Sequence, residues 1–218
     1  MTSDSVLVEA CVTSADEAVA GFDAGAGRAE LCRALDVGGL TPRAEAVAAT
    51  RSAVPGPVHV LVRPRADTFR LAPAAVDALV DEVASLVDLG VDGVVVGVLD
   101  RAGRVDRAAL DALVDAAGDL PVTFHRAFDQ VEAPVDEIET LARAGVRRVL
   151  TSGGAPTAWQ GRETLRALVA ASGDALTVLG GGRVRGDHVR RLVDATGLTE
   201  VHARASAVPG VVAGLEDS

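Results

Sequence analysis

The sequence predicts a closed (β/α)8 barrel, a compact single α/β domain spanning residues 1–218, and three observations carry that prediction. Eight short β-branched runs recur along the chain, beginning near Val6, Arg28, Val58, Asp92, Val122, Arg148, Ala175 and Glu200. Each except the last is followed by an Ala/Leu/Val stretch with helical spacing. The mean interval between runs is about 28 residues, the length of one strand–helix unit in a compact barrel of this kind. An open doubly wound sheet would also alternate strands and helices, but it carries a glycine-rich fingerprint after its first strand. Here the first strand ends in Cys11-Val-Thr-Ser14 instead. No linker, charge block or low-complexity segment divides the chain.

Each element has its own signal. In the first strand Leu7, Glu9 and Cys11 alternate with Val6, Val8 and Ala10, and Ser14 with Glu17 forms a capping box for the helix that follows. In the second, Arg28, Glu30 and Cys32 alternate with Ala29 and Leu31; Thr41-Pro42 then reads as N-cap and first helical residue. The third sets His59, Leu61 and Arg63 against Val58, Val60 and Val62. Its helix runs through Ala74–Leu89 behind Pro73, with apolar positions Val76, Leu79, Val80, Val83, Leu86 and Val87. The fourth strand, DGVVVGV, is almost wholly apolar. In the fifth, Thr123 and His125 oppose Val122 and Phe124, and Pro134 opens the next helix. The sixth and seventh end in Thr151-Ser-Gly-Gly154 and Gly180-Gly-Gly182-Arg183, and the eighth is EVHA. Gly25, Gly90, Gly145 and Gly197 fall where helices should stop.

In a parallel barrel the strand face that meets the helices must be apolar, so the polar parity points inward. The expected interior set is Glu9, Cys11, Glu30, Cys32, Arg63 and His125, near the C-terminal strand ends where barrel enzymes place their sites. Two buried carboxylates need partners, and Arg63 or a protonated His125 is expected to supply them. The bland alternative is a structural ion-pair cluster filling the barrel mouth.

Composition excludes whole classes of function. All 21 basic residues are arginine, so Schiff-base chemistry, a pyridoxal-phosphate anchor and a P-loop lysine are ruled out together, and no nucleotide motif is present. A net charge of −10 argues against nucleic acid. Two cysteines are too few for a disulfide framework or a four-cysteine zinc site. No stretch is long and apolar enough for a membrane span, and Met1 to Val12 lacks a basic leader region. A cytoplasmic protein with reduced thiols is expected.

With these residues in place, the chain resembles the CutC family of copper homeostasis proteins, from about Val8 to His202. The resemblance rests on Glu9-Ala-Cys11, Arg28-Ala-Glu30-Leu-Cys32, Gly38-Gly-Leu-Thr-Pro42 and Arg63-Pro-Arg65. It continues through Gly97-Val-Leu99, Thr123-Phe-His125-Arg126-Ala-Phe-Asp129, Leu150-Thr-Ser-Gly-Gly154, Gly180-Gly-Gly182 and His202. It implies a TIM barrel and a link to copper, with Cu(I) bound by Cys11 and Cys32. Two departures stand out: Arg204 lies where family members often carry Ser, and the chain is shorter than they are at the C-terminus, where a homodimer contact would form.

Two functions are therefore expected in competition. A copper-binding protein would hold soft Cu(I) between Cys11 and Cys32, with His125 as a third ligand; against it, buried cysteines commonly pack as small hydrophobes. An enzyme acting on a small anionic or hydroxylated molecule would use Glu9 and Glu30 as acid and base, with Arg63 separating their pKa values and His125 as a proton shuttle. Its anion would sit on the backbone of Ser152, Gly153, Gly154, Gly181 and Gly182. Arg65 and Arg126 would assist, or else pair with Asp67 and Asp129. Among the remaining candidates, His59 is expected in a core hydrogen bond and His188 facing solvent. His202 is divided between pocket and packing, and Trp159 is expected as a lid or interface residue.

Overall fold

Alternating valines and leucines with one buried parity can satisfy their backbone only by pairing, and here the pairing closes on itself. The computed structural model describes residues 6–216 and contains a barrel of eight parallel strands in sequential order, β1 to β8, with β8 bonded back to β1. The strands are β1 Leu7–Val12, β2 Arg28–Leu31, β3 Val58–Leu61, β4 Gly93–Val96, β5 Val122–Phe124, β6 Arg148–Thr151, β7 Thr177–Gly180 and β8 Glu200–Arg204. The helices between them are α1 Ala15–Asp23, α2 Ala44–Ala53, α3 Pro73–Asp88, α4 Arg107–Ala117, α5 Pro134–Arg143, α6 Arg162–Ser172 and α7 Val189–Thr196. An eighth, α8 Val208–Glu216, follows the last strand, where periodicity had not marked one. The first five residues, on which part of the expectation about a leader region rests, lie outside the described residues. Among the described residues no helix is long and apolar enough to cross a membrane.

The helix signals act mostly as read. Ser14 caps α1 by accepting from the Glu17 N–H at 3.2 Å. Glu17 reaches back to the N–H of Thr13, at 2.6 Å, rather than to that of Ser14, so the box closes one residue early. Pro73 and Pro134 occupy first-turn positions. Gly197 ends α7 at φ 76°, a left-handed conformation that costs glycine least. Thr41 departs from expectation. Its hydroxyl accepts the Arg63 backbone N–H at 2.9 Å, tying the loop after β2 to β3, and Arg43 becomes the N-cap of α2.

The strand parity holds throughout. Val8, Ala10, Ala29, Leu31, Val58, Val60, Val62, Val94, Val96, Val122 and Phe124 are buried in the layer between strands and helices. Each valine, leucine or phenylalanine among them is worth roughly 1.5–3 kcal/mol when fully buried, so this layer supplies the main driving force of the fold. The inward parity is mixed: Cys11, Cys32, Leu61 and Val95 form a small apolar cluster near the mouth. Below and beside it lie buried Glu9, Arg28, Glu30, His59, Thr123 and His125.

Candidate functional site

The register assembles the interior from residues far apart in sequence. Glu9 on β1 stands opposite Arg28 on β2 and His202 on β8, because β1 closes the barrel. Arg28 Nε donates to Glu9 Oε2, and its second arm donates to Glu200 Oε2 at 2.5 Å. Arg148 Nε reaches the same Glu200 oxygen at 2.9 Å, and His202 Nδ1 bonds Glu9 Oε1 at 2.7 Å. A continuous chain His202–Glu9–Arg28–Glu200–Arg148 thus crosses the barrel. The expectation that Arg63 would neutralise Glu9 and Glu30 is corrected: Arg28 and His202 do so for Glu9. Arg63 instead donates to the carbonyls of Val37, Gly39 and Ala66, clamping the loops after β2 and β3.

These contacts separate the two carboxylates. Burial alone would raise the Glu9 carboxyl, but Arg28 and the His202 hydrogen bond outweigh it and hold it well below the usual range. Both Glu9 oxygens are engaged, so it serves as a fixed counter-ion rather than as the acid or base expected of it. Glu30 lacks such help. Burial, reinforced by Glu9 and only partly offset by His202 and Arg28, pushes it up to about 7, and its Oε2 has no partner. Burial opposes a charge on His202, yet Glu30 and Glu9 raise its pKa above the ordinary value.

His125 also departs from expectation. Its Nδ1 accepts the Ala127 N–H at 3.1 Å, and burial followed by the nearby Arg63 lowers its pKa to about 3. The ring is therefore neutral with its proton on Nε2, which serves neither a carboxylate nor a shuttle near neutral pH. His59 lies deeper, its pKa lowered to about 4 by burial, and its Nδ1 has no partner where a core hydrogen bond was expected.

At the mouth Cys11 and Cys32 bring their sulfurs to 3.9 Å, both thiols free and buried. The separation is nearly twice a disulfide bond length. The hydrogen bond to Cys32, then burial and Glu30, push the Cys11 thiol well above its ordinary pKa. Ligand atoms of Cys11, Glu30 and His202 all lie within 4.8 Å of one another, so Glu30 and His202, rather than His125, are the donors beside the Cys11 thiol. All four residues line a cavity of about 350 Å³ that opens at the C-terminal end of the barrel.

The glycine-rich rim is not the open anion cradle that was expected. Asp129 Oδ1 accepts the N–H of Ser152 at 2.9 Å and that of Gly154 at 3.2 Å, together with the Thr151 hydroxyl at 2.6 Å. Gly153 N–H goes to Thr151 Oγ1, and Gly181 N–H to the Thr151 carbonyl. The chain's own carboxylate fills the nest. Arg126 pairs with that Asp129 at 2.8 Å, and Arg65 pairs with Asp67 at 2.6 Å. Gly182 does line the cavity, at φ 104°, and a Cβ there would press on Ser152. Trp159 lies between the guanidinium groups of Arg162 and Arg191 as a packing residue, and His188 bonds Asp187 at the start of α7.

The CutC family profile matches residues 6–207. The chain belongs to the CutC family. A CutC protein of Xanthomonas campestris pv. campestris (strain B100) is 42% identical over 198 residues, covering 91% of this chain and 82% of that relative. One from Xylella fastidiosa (strain Temecula1) is 41% identical over 204 residues, covering 94% of this chain and 76% of its own. Among solved structures, a CutC from Streptococcus agalactiae, named for copper homeostasis, superposes with a TM-score of 0.86 at 25% identity, covering 90% of this chain and 97% of that one. A Rubisco-like protein from Rhodopseudomonas palustris shares the barrel at a TM-score of 0.71 and 18% identity, covering 99% of this chain and 65% of its own, and shows the fold alone.

The CutC motifs thus converge on one mouth, but two of its central residues were not assigned from the sequence. Arg28 already shared the inward parity of Glu30 and Cys32, and the alternation Glu200, His202, Arg204 on β8 places all three on one face. Closing β8 against β1 is what turns those parities into the Glu9 network.

Proposed function

We propose that this CutC-family chain acts in copper homeostasis by binding one Cu(I) at the barrel mouth, between Cys11 and Cys32. The observation that carries this reading is the pair of sulfurs 3.9 Å apart on the cavity floor. Thiolate sulfur lies about 2.3 Å from a bound zinc, so two sulfurs sharing one ion of similar bond length stand at most ~4.6 Å apart. The observed span fits without strand movement. The donor set fits as well, since soft thiolates select Cu(I) over harder ions. Leu61 and Val95 pack beside the thiols and keep that side of the site dry. When bound, Cu(I) would replace the two thiol protons, and the resulting bis-thiolate unit would carry one net negative charge beside Glu30.

Competition against a chromogenic Cu(I) chelator tests this with the reduced protein. The wild type is expected to hold one tight equivalent. Cys11→Ser and Cys32→Ser should each weaken it by at least about 100-fold, since losing even an outer-shell partner costs 10–100-fold. Unchanged affinity in both variants would make the two thiols packing residues.

A further inference from the structure

We infer that the same cavity, at its arginine-lined rim above the thiols, also takes a small molecule carrying a carboxylate or phosphate. The cavity is lined by five arginines, Arg63, Arg126, Arg183, Arg185 and Arg204, and by one carboxylate, Glu30. This concentration of positive charge occurs in a chain of net charge −10. A cleft lined by one sign of charge focuses its field and draws in ligands of the opposite sign.

The arginines are not all consumed by partners. Arg126 is paired with Asp129, and Arg63 spends its terminal nitrogens on loop carbonyls. Among the described residues, Arg183, Arg185 and Arg204 have no carboxylate within ion-pair distance, and all three are exposed at the rim. Deeper in the same wall, Arg63 Nε and His125 Nε2 are buried hydrogen-bond donors without partners. A buried unpaired donor is costly, and a ligand acceptor would satisfy it. Phe69 stands between them, with Arg63 over its ring at 4.7 Å and His125 at 5.2 Å, giving the pocket an apolar wall beside its charge. At about 350 Å³ the space is at the small end of metabolite pockets.

The backbone adds an independent sign. Arg183 adopts φ 56°, one of only two non-glycine residues in the left-handed region among the described residues. Glycine would hold that conformation with less strain, and strain of this kind concentrates at ligand sites. Here it turns an arginine side chain onto the rim of a charged cavity.

The strain also supplies the decisive variant. Arg183→Gly removes the guanidinium while relieving the backbone, so it should fold at least as stably as the wild type. Inorganic phosphate is the probe, compared with chloride at equal ionic strength in thermal melts. At ten times its dissociation constant phosphate should raise the wild-type Tm by about 3–6 °C. Arg183→Gly and Arg204→Ala should each raise the half-saturating phosphate concentration about ten-fold, the loss of one charge-assisted hydrogen bond. Arg147→Ala, at the opposite end of the barrel, should leave it unchanged, and the melts use metal-free protein, so the result does not depend on the copper reading. Absence of a phosphate-specific shift in the wild type overturns the proposal. So does a shift that both rim variants retain in full.

Discussion

Five ionisable side chains linked across a barrel are tolerable only when each charge meets another. Glu9, at 1% exposure, is engaged at both oxygens by Arg28 and His202. Removing one partner from such a buried pair costs about 3–5 kcal/mol, whereas replacing the whole set by apolar groups is often neutral, so the network by itself is weak evidence for stability. The histidines show how burial sorts protonation. His59 and His125 have pKa values lowered to about 4 and about 3, so the unfolded chain takes up their protons first as pH falls below about 6.5. Their contribution to stability is present above that pH and is lost as pH falls toward the folded values. His202 has the opposite sign: its raised pKa adds stability below 6.5 that disappears as pH rises through the folded value. Long-range proton–nitrogen NMR at pH 5.5 should find His59 and His125 neutral, His125 protonated on Nε2, and His202 charged. A charged His125 at that pH would contradict the hydrogen bond from Ala127.

At the scale of elements, β4 shows how one strand makes room for its neighbours. Its outward face is Val94 and Val96, and its inward face is Gly93, Val95 and then Gly97 just beyond the strand. Gly93 stands opposite His59 on β3, and a Cβ there would approach the imidazole Nε2 to 2.6 Å. A Cβ at Gly97 would press on His125 Nδ1, the atom that accepts from Ala127. Gly97→Ala should therefore lose about 1–3 kcal/mol, as other overpacked cores do. Urea unfolding should show a lower midpoint with an unchanged slope, and an unaltered midpoint would mean that the ring has space to retreat. The strands and their faces were legible because one parity is apolar in every strand, and the cysteine positions followed from it. Partner choice was not legible. Arg28 and Arg63 share the inward parity, and the β1–β2 register, which sets Arg28 opposite Glu9, decides which guanidinium meets it. The nest at Ser152–Gly154 was misread for a related reason: its glycines and hydroxyl suit any anion, and Asp129, which fills it, comes from the preceding loop.

At the scale of the whole molecule, an acidic chain folds so that arginines collect at one end and two thiols lie beneath them. The cysteines are 21 positions apart in sequence, and adjacent strands bring them together. The charge at the mouth and the thiols below are distinct properties of one opening, so the proposed copper and anion sites can be tested one at a time. X-ray absorption at the copper edge, on reduced protein carrying one equivalent of Cu(I), tests the central claim most directly because it reads the atoms bound to the ion. The account predicts two sulfur donors in the wild type and a single sulfur in Cys32→Ser. A coordination shell of nitrogen and oxygen alone in the wild type would contradict it.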